Sequence, residues 1–137
     1  MPGQVVLFAC IHNAGRSQMA AAFFNAAADP LEARAISAGT RPGTAVHPEV
    51  AAVMHEIGID LASATPHRLT DELAAGVDML VTMGCGEECP YVPGVERHDW
   101  ALPDPKGRPI EEVRAIRDDI RVRVESLVAR RGWKAQG

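Results

Sequence analysis

Apolar positions along this chain follow two rhythms. Val5–Ala9 is an uninterrupted apolar run without alternation, the pattern of a strand covered on both faces. Asp78–Met83 (DMLVTM) reads the same way, and Ala33–Ala38 (ARAISA, closed by Gly39) and Val95–Trp100 complete the predicted strands. Between them the spacing becomes helical. Gln18–Ala28 is rich in alanine, with Ser17 as its N-cap, Phe23 and Phe24 partly inward, and Asp29-Pro30 as its stop. Val50, Val53, Met54 and Ile57 repeat at helical intervals within Pro48–Ile57, and Gly58 serves as C-cap. Thr70–Ala75 reads as a short helix capped by Thr70 or Asp71 and ended by Gly76. Pro109 at the first helical position, with Glu111 and Glu112 in the first turn, opens a long final helix. Its apolar stripe comprises Ile110, Val113, Ile116, Ile120, Val124, Leu127 and Val128, and Arg130 and Arg131 favour its C-terminus. Trp133–Gly137 is expected to fray.

Strands alternating with helices imply right-handed βαβ units. The expected fold is α/β and three-layered, a four-stranded parallel sheet with helices on both faces, in a single domain spanning 1–137. Ligands of such sheets sit at the carboxyl ends of the strands. That rule places Cys10, the loop carrying Cys85 and Cys89, and the loop carrying Asp104 on one edge.

Composition narrows the partners. The chain has 137 residues, 47% hydrophobic and 23% charged, which suits one globular domain with a sizeable core. A net charge of -4 and a pI near 5.7 argue against nucleic acid or an anionic membrane as the main partner. An anionic substrate would therefore have to be attracted by local groups. No apolar run is long enough to span a bilayer, and no signal-peptide pattern opens the chain, so a cytoplasmic protein is expected. Three cysteines cannot close a disulfide framework, which leaves catalysis, redox cycling or metal binding. For zinc, Cys85 and Cys89 have only His98 nearby, short of the usual four ligands. His47, His55 and His67 fall on separate segments and read as surface or capping residues, and Trp100 as a core or hinge residue.

The chemistry concentrates in Cys10-Ile11-His12-Asn13-Ala14-Gly15-Arg16-Ser17, a C-x5-R-S loop between a strand and a helix. Backbone N–H groups of residues 11–16 could form a nest at the helix N-terminus and bind a dianion. Arg16 can grip two oxygens in a bidentate fork. The same helix dipole and guanidinium favour a thiolate at Cys10, and Ser17 can donate a hydrogen bond to its sulfur. Asn13 can hold a left-handed turn. The bland alternative is a small buried cysteine beside a solvated arginine.

With RSQMA opening the helix, this loop resembles that of the low-molecular-weight protein tyrosine phosphatase fold, a flavodoxin-like architecture. More closely it resembles the thioredoxin-coupled arsenate reductases built on that fold. Ser37-Ala38-Gly39, Val81-Thr82-Met83, His98-Asp99-Trp100 and Pro103-Asp104-Pro105-Lys106-Gly107 extend the likeness over roughly residues 5–130. Two departures stand out. His12 occupies a position where the family often has glycine, and Gly15 one where many relatives carry a second loop cysteine.

The resemblance implies a role for each thiol. Cys10 attacks arsenate to give a covalent adduct, Cys85 then attacks Cys10 as arsenite leaves, and Cys89 attacks Cys85. It implies that Ile11, His12, Asn13, Ala14, Gly15 and Arg16 bind the oxyanion, that Ser17 assists, and that Asp104 is the general acid. It also implies a monomer with no metal and no tightly bound cofactor, supplied with electrons by a thioredoxin-like protein or a low-molecular-weight thiol. The alternative is a tyrosine or small-phosphomonoester phosphatase using only Cys10, Arg16 and Asp104, an activity the reductase could retain in part. Scarce aromatics and the two further cysteines weigh against that alternative. A non-catalytic oxyanion- or metal-binding module is the remaining class, and it would survive Cys10→Ser.

Overall fold

An apolar run such as Val5–Cys10 needs cover above, below and on both edges, and β1 (Gln4–Cys10), which carries it, has all four. The computed structural model describes residues 3–84, 89 and 91–135. β1 is flanked by β2 (Ala33–Gly39) and β3 (Met79–Thr82), and β4 (Glu96–Asp99) lies beyond β3. All pairings are parallel, in the order β2-β1-β3-β4. Successive β1 residues point to opposite faces. Val6 and Phe8 join Met79 and Val81 in the larger core, while Leu7 and Ala9 join Leu80 in the smaller one.

The larger core is closed by α1 (Arg16–Ala27), α2 (Pro48–His55) and α4 (Ile110–Arg131), the smaller by α3 (Asp71–Ala75) and its flanking loops. The expected α/β architecture is therefore the observed one. The edges are managed differently. β4 carries Glu96, Arg97, His98 and Asp99 in place of an apolar run. On β2, the Asn25 amide reaches over from α1, accepting from Ala35 N at 2.8 Å and donating to Ala35 O at 3.0 Å.

Most predicted element boundaries hold within two residues, but three local readings need correction. Ser17 is not an N-cap: Gly15 occupies that position without a side-chain cap, and Ser17 lies inside α1 with its hydroxyl turned to the site. Pro109 is the N-cap of α4, not its first helical residue. Pro48–Ile57 ends its helix at His55 with Glu56 as C-cap, and Gly58 turns the chain beyond it at φ +84°. Thr70 is confirmed as the cap of α3, its Oγ1 accepting from Leu73 N at 3.0 Å.

The C-terminal segment is not frayed through Ala135. Gly132, in the left-handed region, turns the chain back, Trp133 packs edge-on against Phe24 at 5.8 Å, and its carbonyl accepts from Asp29 N at 2.7 Å. Polar composition hid a buried indole at the end of the chain. Trp133→Ala should lower the unfolding free energy by about 3 kcal/mol, the usual loss for a large buried aromatic, measured by urea denaturation.

α2 and α4 are tied by Glu56, which accepts a paired contact from Arg114 and a further bond from Arg117, whose Nη1 also donates to Val53 O. The Arg114 hydrogen bond holds the Glu56 carboxyl below its ordinary 4.5. A carboxylate depressed in the folded state contributes fully above its unfolded value and loses that contribution as pH falls through its folded value. Below pH 4.5 the urea midpoint of Glu56→Gln should therefore fall less steeply than that of wild type.

Candidate active site

The loop between β1 and α1 commits its carbonyls to neighbouring chain. Those of Cys10, Ile11, His12 and Ala14 accept N–H groups of Thr40, Arg41, Gly43 and His47 at 3.2, 2.8, 2.9 and 2.9 Å. The Asn13 carbonyl accepts Gln18 Nε2 at 3.1 Å and that of Gly15 accepts Met19 N at 3.0 Å. With the carbonyls so engaged, the backbone N–H groups of residues 11–15 have no protein acceptor among the described residues. This is the arrangement of an anion-binding nest at a helix N-terminus.

Two residues permit the tight path. Asn13 alone among non-glycine described residues has positive φ, +49°, the left-handed turn expected of it. His12, standing where glycine was expected, does not. Beneath the loop, a Cβ on Gly39 would fall 2.6 Å from Ile11 O and 2.8 Å from Asn13 N, so the end of β2 must be bare.

A directed hydrogen-bond chain reaches the thiol. His67 N–H donates to Asn13 Oδ1 at 2.8 Å, which fixes the amide so that Nδ2 donates to Ser17 Oγ at 2.7 Å. The hydroxyl, already accepting, has its proton free for Cys10 Sγ, 2.9 Å away. Cys10, Asn13 and Ser17 are buried, and Cys10 is a free thiol. The chain thus ends at the Cys10 sulfur, in a contact to which either the hydroxyl or the thiol can donate. His67, read as a surface or capping residue, is exposed and contributes through its backbone N–H.

Arg16 is only 6% exposed and donates from Nη1 to Leu102 O at 2.9 Å. A Cβ on Gly84, whose φ is +96°, would fall 2.3 Å from that same nitrogen. The guanidinium therefore sits between the segment after β3 and the segment after β4. In the latter, Asp104 forms a turn, its Oδ1 accepting Lys106 N at 3.0 Å and its carbonyl accepting Arg108 Nε at 2.6 Å.

Cys89 is buried in the smaller core and engaged in a disulfide. Cys85 lies outside the described residues. Around Cys89, a groove of about 610 Å³ is lined by Thr82, Gly84, Tyr91, Asp99 and Trp100 among others. Trp100 packs at 5.8 Å from Phe8, consistent with a core role. Thr82 Oγ1 donates to Asp99 Oδ1, and this bond, with Arg97 Nε at 3.2 Å, holds the Asp99 carboxyl below its ordinary range. It pins the ends of β3 and β4 together where the cysteine loop begins. His98 contacts Glu96 Oε2 at 2.6 Å, and among the described residues no group of three potential ligands could hold a metal ion.

The low molecular weight phosphotyrosine protein phosphatase model matches residues 5–136. The chain belongs to that family. Within it, a Halobacterium salinarum protein provisionally assigned as an arsenate reductase is 40% identical over 88% of this chain and 87% of its own. The glutaredoxin arsenate reductase of a Synechocystis strain is 35% identical over 91% and 96%. Among solved structures, the Corynebacterium glutamicum thioredoxin-dependent arsenate reductase superposes with a TM-score of 0.80 at 38% identity, covering 93% of this chain. This chain spans only 61% of that protein's length.

Sequence reading did not find Gln18, the Leu102 carbonyl or the Gly84–Arg16 approach. Gln18 Nε2 also reaches Thr65 O at 3.1 Å, a contact across the fold that no local pattern announces. A hydrogen bond such as that between Ser17 Oγ and Cys10 Sγ contributes about 0.5–1.5 kcal/mol. Ser17→Ala should therefore slow alkylation of Cys10 by iodoacetamide at neutral pH by roughly two- to tenfold, read as loss of free thiol over time.

Proposed function

We propose that this family member reduces arsenate to arsenite, with Cys10 as the nucleophile. The observation that carries the reading is the Ser17 hydroxyl aimed at a free Cys10 thiol, beside a loop of N–H donors without protein acceptors. The arsenate reductases among its relatives support the choice of oxyanion.

In the first step the Cys10 sulfur forms a bond to arsenic and an As–O bond breaks. Asp104 gives its proton to the departing oxygen, which leaves as water. The N–H groups of Ile11, His12, Asn13, Ala14 and Gly15, together with Arg16, hold the remaining oxygens. Cys85 then attacks the Cys10 sulfur. An S–S bond forms, the S–As bond breaks, and its electron pair stays on arsenic, which leaves as arsenite. Cys89 attacks Cys85, freeing Cys10 and moving the disulfide to the Cys85–Cys89 pair. The disulfide at Cys89 and free thiol at Cys10 are compatible with the end of that sequence. An external dithiol protein of thioredoxin type supplies the two electrons, so no tightly bound cofactor is required. The protein is read as a cytoplasmic monomer acting through one domain, 1–137.

The test is arsenate-dependent NADPH oxidation with thioredoxin and thioredoxin reductase. Wild type should turn over, Cys10→Ser should not, and Cys85→Ser or Cys89→Ser should abolish sustained turnover. Asp104→Asn should lower kcat by roughly 10²-fold with little change in phosphate binding, the usual share of a general acid. Sustained turnover without Cys89 would remove the relay. Hydrolysis of nitrophenyl phosphate without arsenate turnover would make the protein a phosphatase.

A further inference from the structure

We propose that Gly15 is a positioning residue for the acid loop, the bare seat on which Pro105 closes so that Asp104 meets the bound oxyanion. This rests on the reading of Asp104 as the general acid.

A Cβ on Gly15 would stand 2.9 Å from Pro105 Cγ and 3.5 Å from its Cδ, with His47 Cδ2 at 3.6 Å on another side. Only the contact with Pro105 Cγ is too close, and that wall cannot yield cheaply. The pyrrolidine ring of Pro105 is rigid and buried. The His47 ring, at ordinary contact distance, closes the other side of the seat. With Pro105 seated where it is in this chain, a Cβ at position 15 therefore displaces it.

Displacement of Pro105 carries Asp104 with it. The turn is braced internally by Lys106 N to Asp104 Oδ1 at 3.0 Å, Arg108 Nε to Asp104 O at 2.6 Å and Arg108 N to Pro105 O at 3.2 Å. It moves as a unit. At its other end, Arg16 Nη1 holds Leu102 O at 2.9 Å, so Arg16 and Gly15 are consecutive fastenings of one loop. The contact at Gly15 is the one nearer the carboxylate in sequence. A misplacement of about 1 Å in a reacting group costs up to roughly 100-fold in rate.

The test is a double-mutant cycle on Gly15→Ala and Pro105→Ala, the latter removing the ring atoms that collide. Gly15→Ala should lower arsenate kcat by roughly 10- to 100-fold. Its inhibition constant for inorganic phosphate should stay within about threefold of wild type, because the N–H donors and Arg16 remain. Backbone amide exchange in segment 102–108 should accelerate. Pro105→Ala, which leaves the anion loop untouched, should accelerate the same exchange and lower kcat, and adding Gly15→Ala to it should do no further harm. Phosphate affinity falling in step with kcat, or an undiminished Gly15→Ala effect in the Pro105→Ala background, would overturn the proposal. Unchanged exchange in segment 102–108 would do the same. Should Asp104→Asn retain wild-type kcat, the acid role fails, while the exchange measurements still decide whether Gly15 seats the loop.

Discussion

One side-chain amide holds the anion loop in its working form. Asn13 turns the chain through the left-handed region, and its oxygen and nitrogen are then fixed by the His67 N–H and the Ser17 hydroxyl. Because a backbone N–H can only donate, the amide has one orientation, and the hydroxyl beyond it is held as an acceptor with its own proton still available to Cys10. The polarity of the site is thus set from a segment 54 residues away in sequence. A buried network with every member satisfied rigidifies what it surrounds, and here it surrounds the Cys10 thiol.

The second organising element is Arg16. Its guanidinium is packed against Gly84 after β3 and bonded to Leu102 after β4, so this one arginine fastens the segments that leave two neighbouring strands. Parallel register makes this economical. The ends of β1, β3 and β4 lie side by side, Ala9 beside Thr82 and Thr82 beside Asp99, so three separate stretches of sequence deliver their loops to one edge. The Thr82–Asp99 bond keeps two of those strand ends from separating.

Much of this was legible in the chain itself. Buried strands announce themselves by unbroken apolar runs, and Val6–Cys10 is buried at every position. The C-x5-R-S spacing points to the loop because its chemistry is local, contained in one turn and the start of one helix. What the chain hides is contact between distant segments. Nothing around Ser17 says that its hydroxyl serves the thiol in preference to capping the helix, since both uses demand the same residue type. Nothing around Trp133 says that a polar tail folds back over Phe24. Gly39 and Gly84 look like ordinary turn glycines until their neighbours are placed.

The Asn25–Ala35 pair bears on how the molecule behaves when it is damaged. β2 is an edge strand, and at Ala35 its outward N–H and C=O are both occupied by a helix side chain acting as a one-residue substitute for a neighbouring strand. The opposite edge is guarded by charge, which persists as long as β4 does. The guard at Ala35 lasts only while the end of α1 stays docked, whereas Gly39 is paired with the segment around Arg68 and Ala33 N with Asp29 O. Heat that lifts the end of α1 would therefore bare the Ala35 N–H and C=O as pairing groups for another strand before the rest of the sheet is lost.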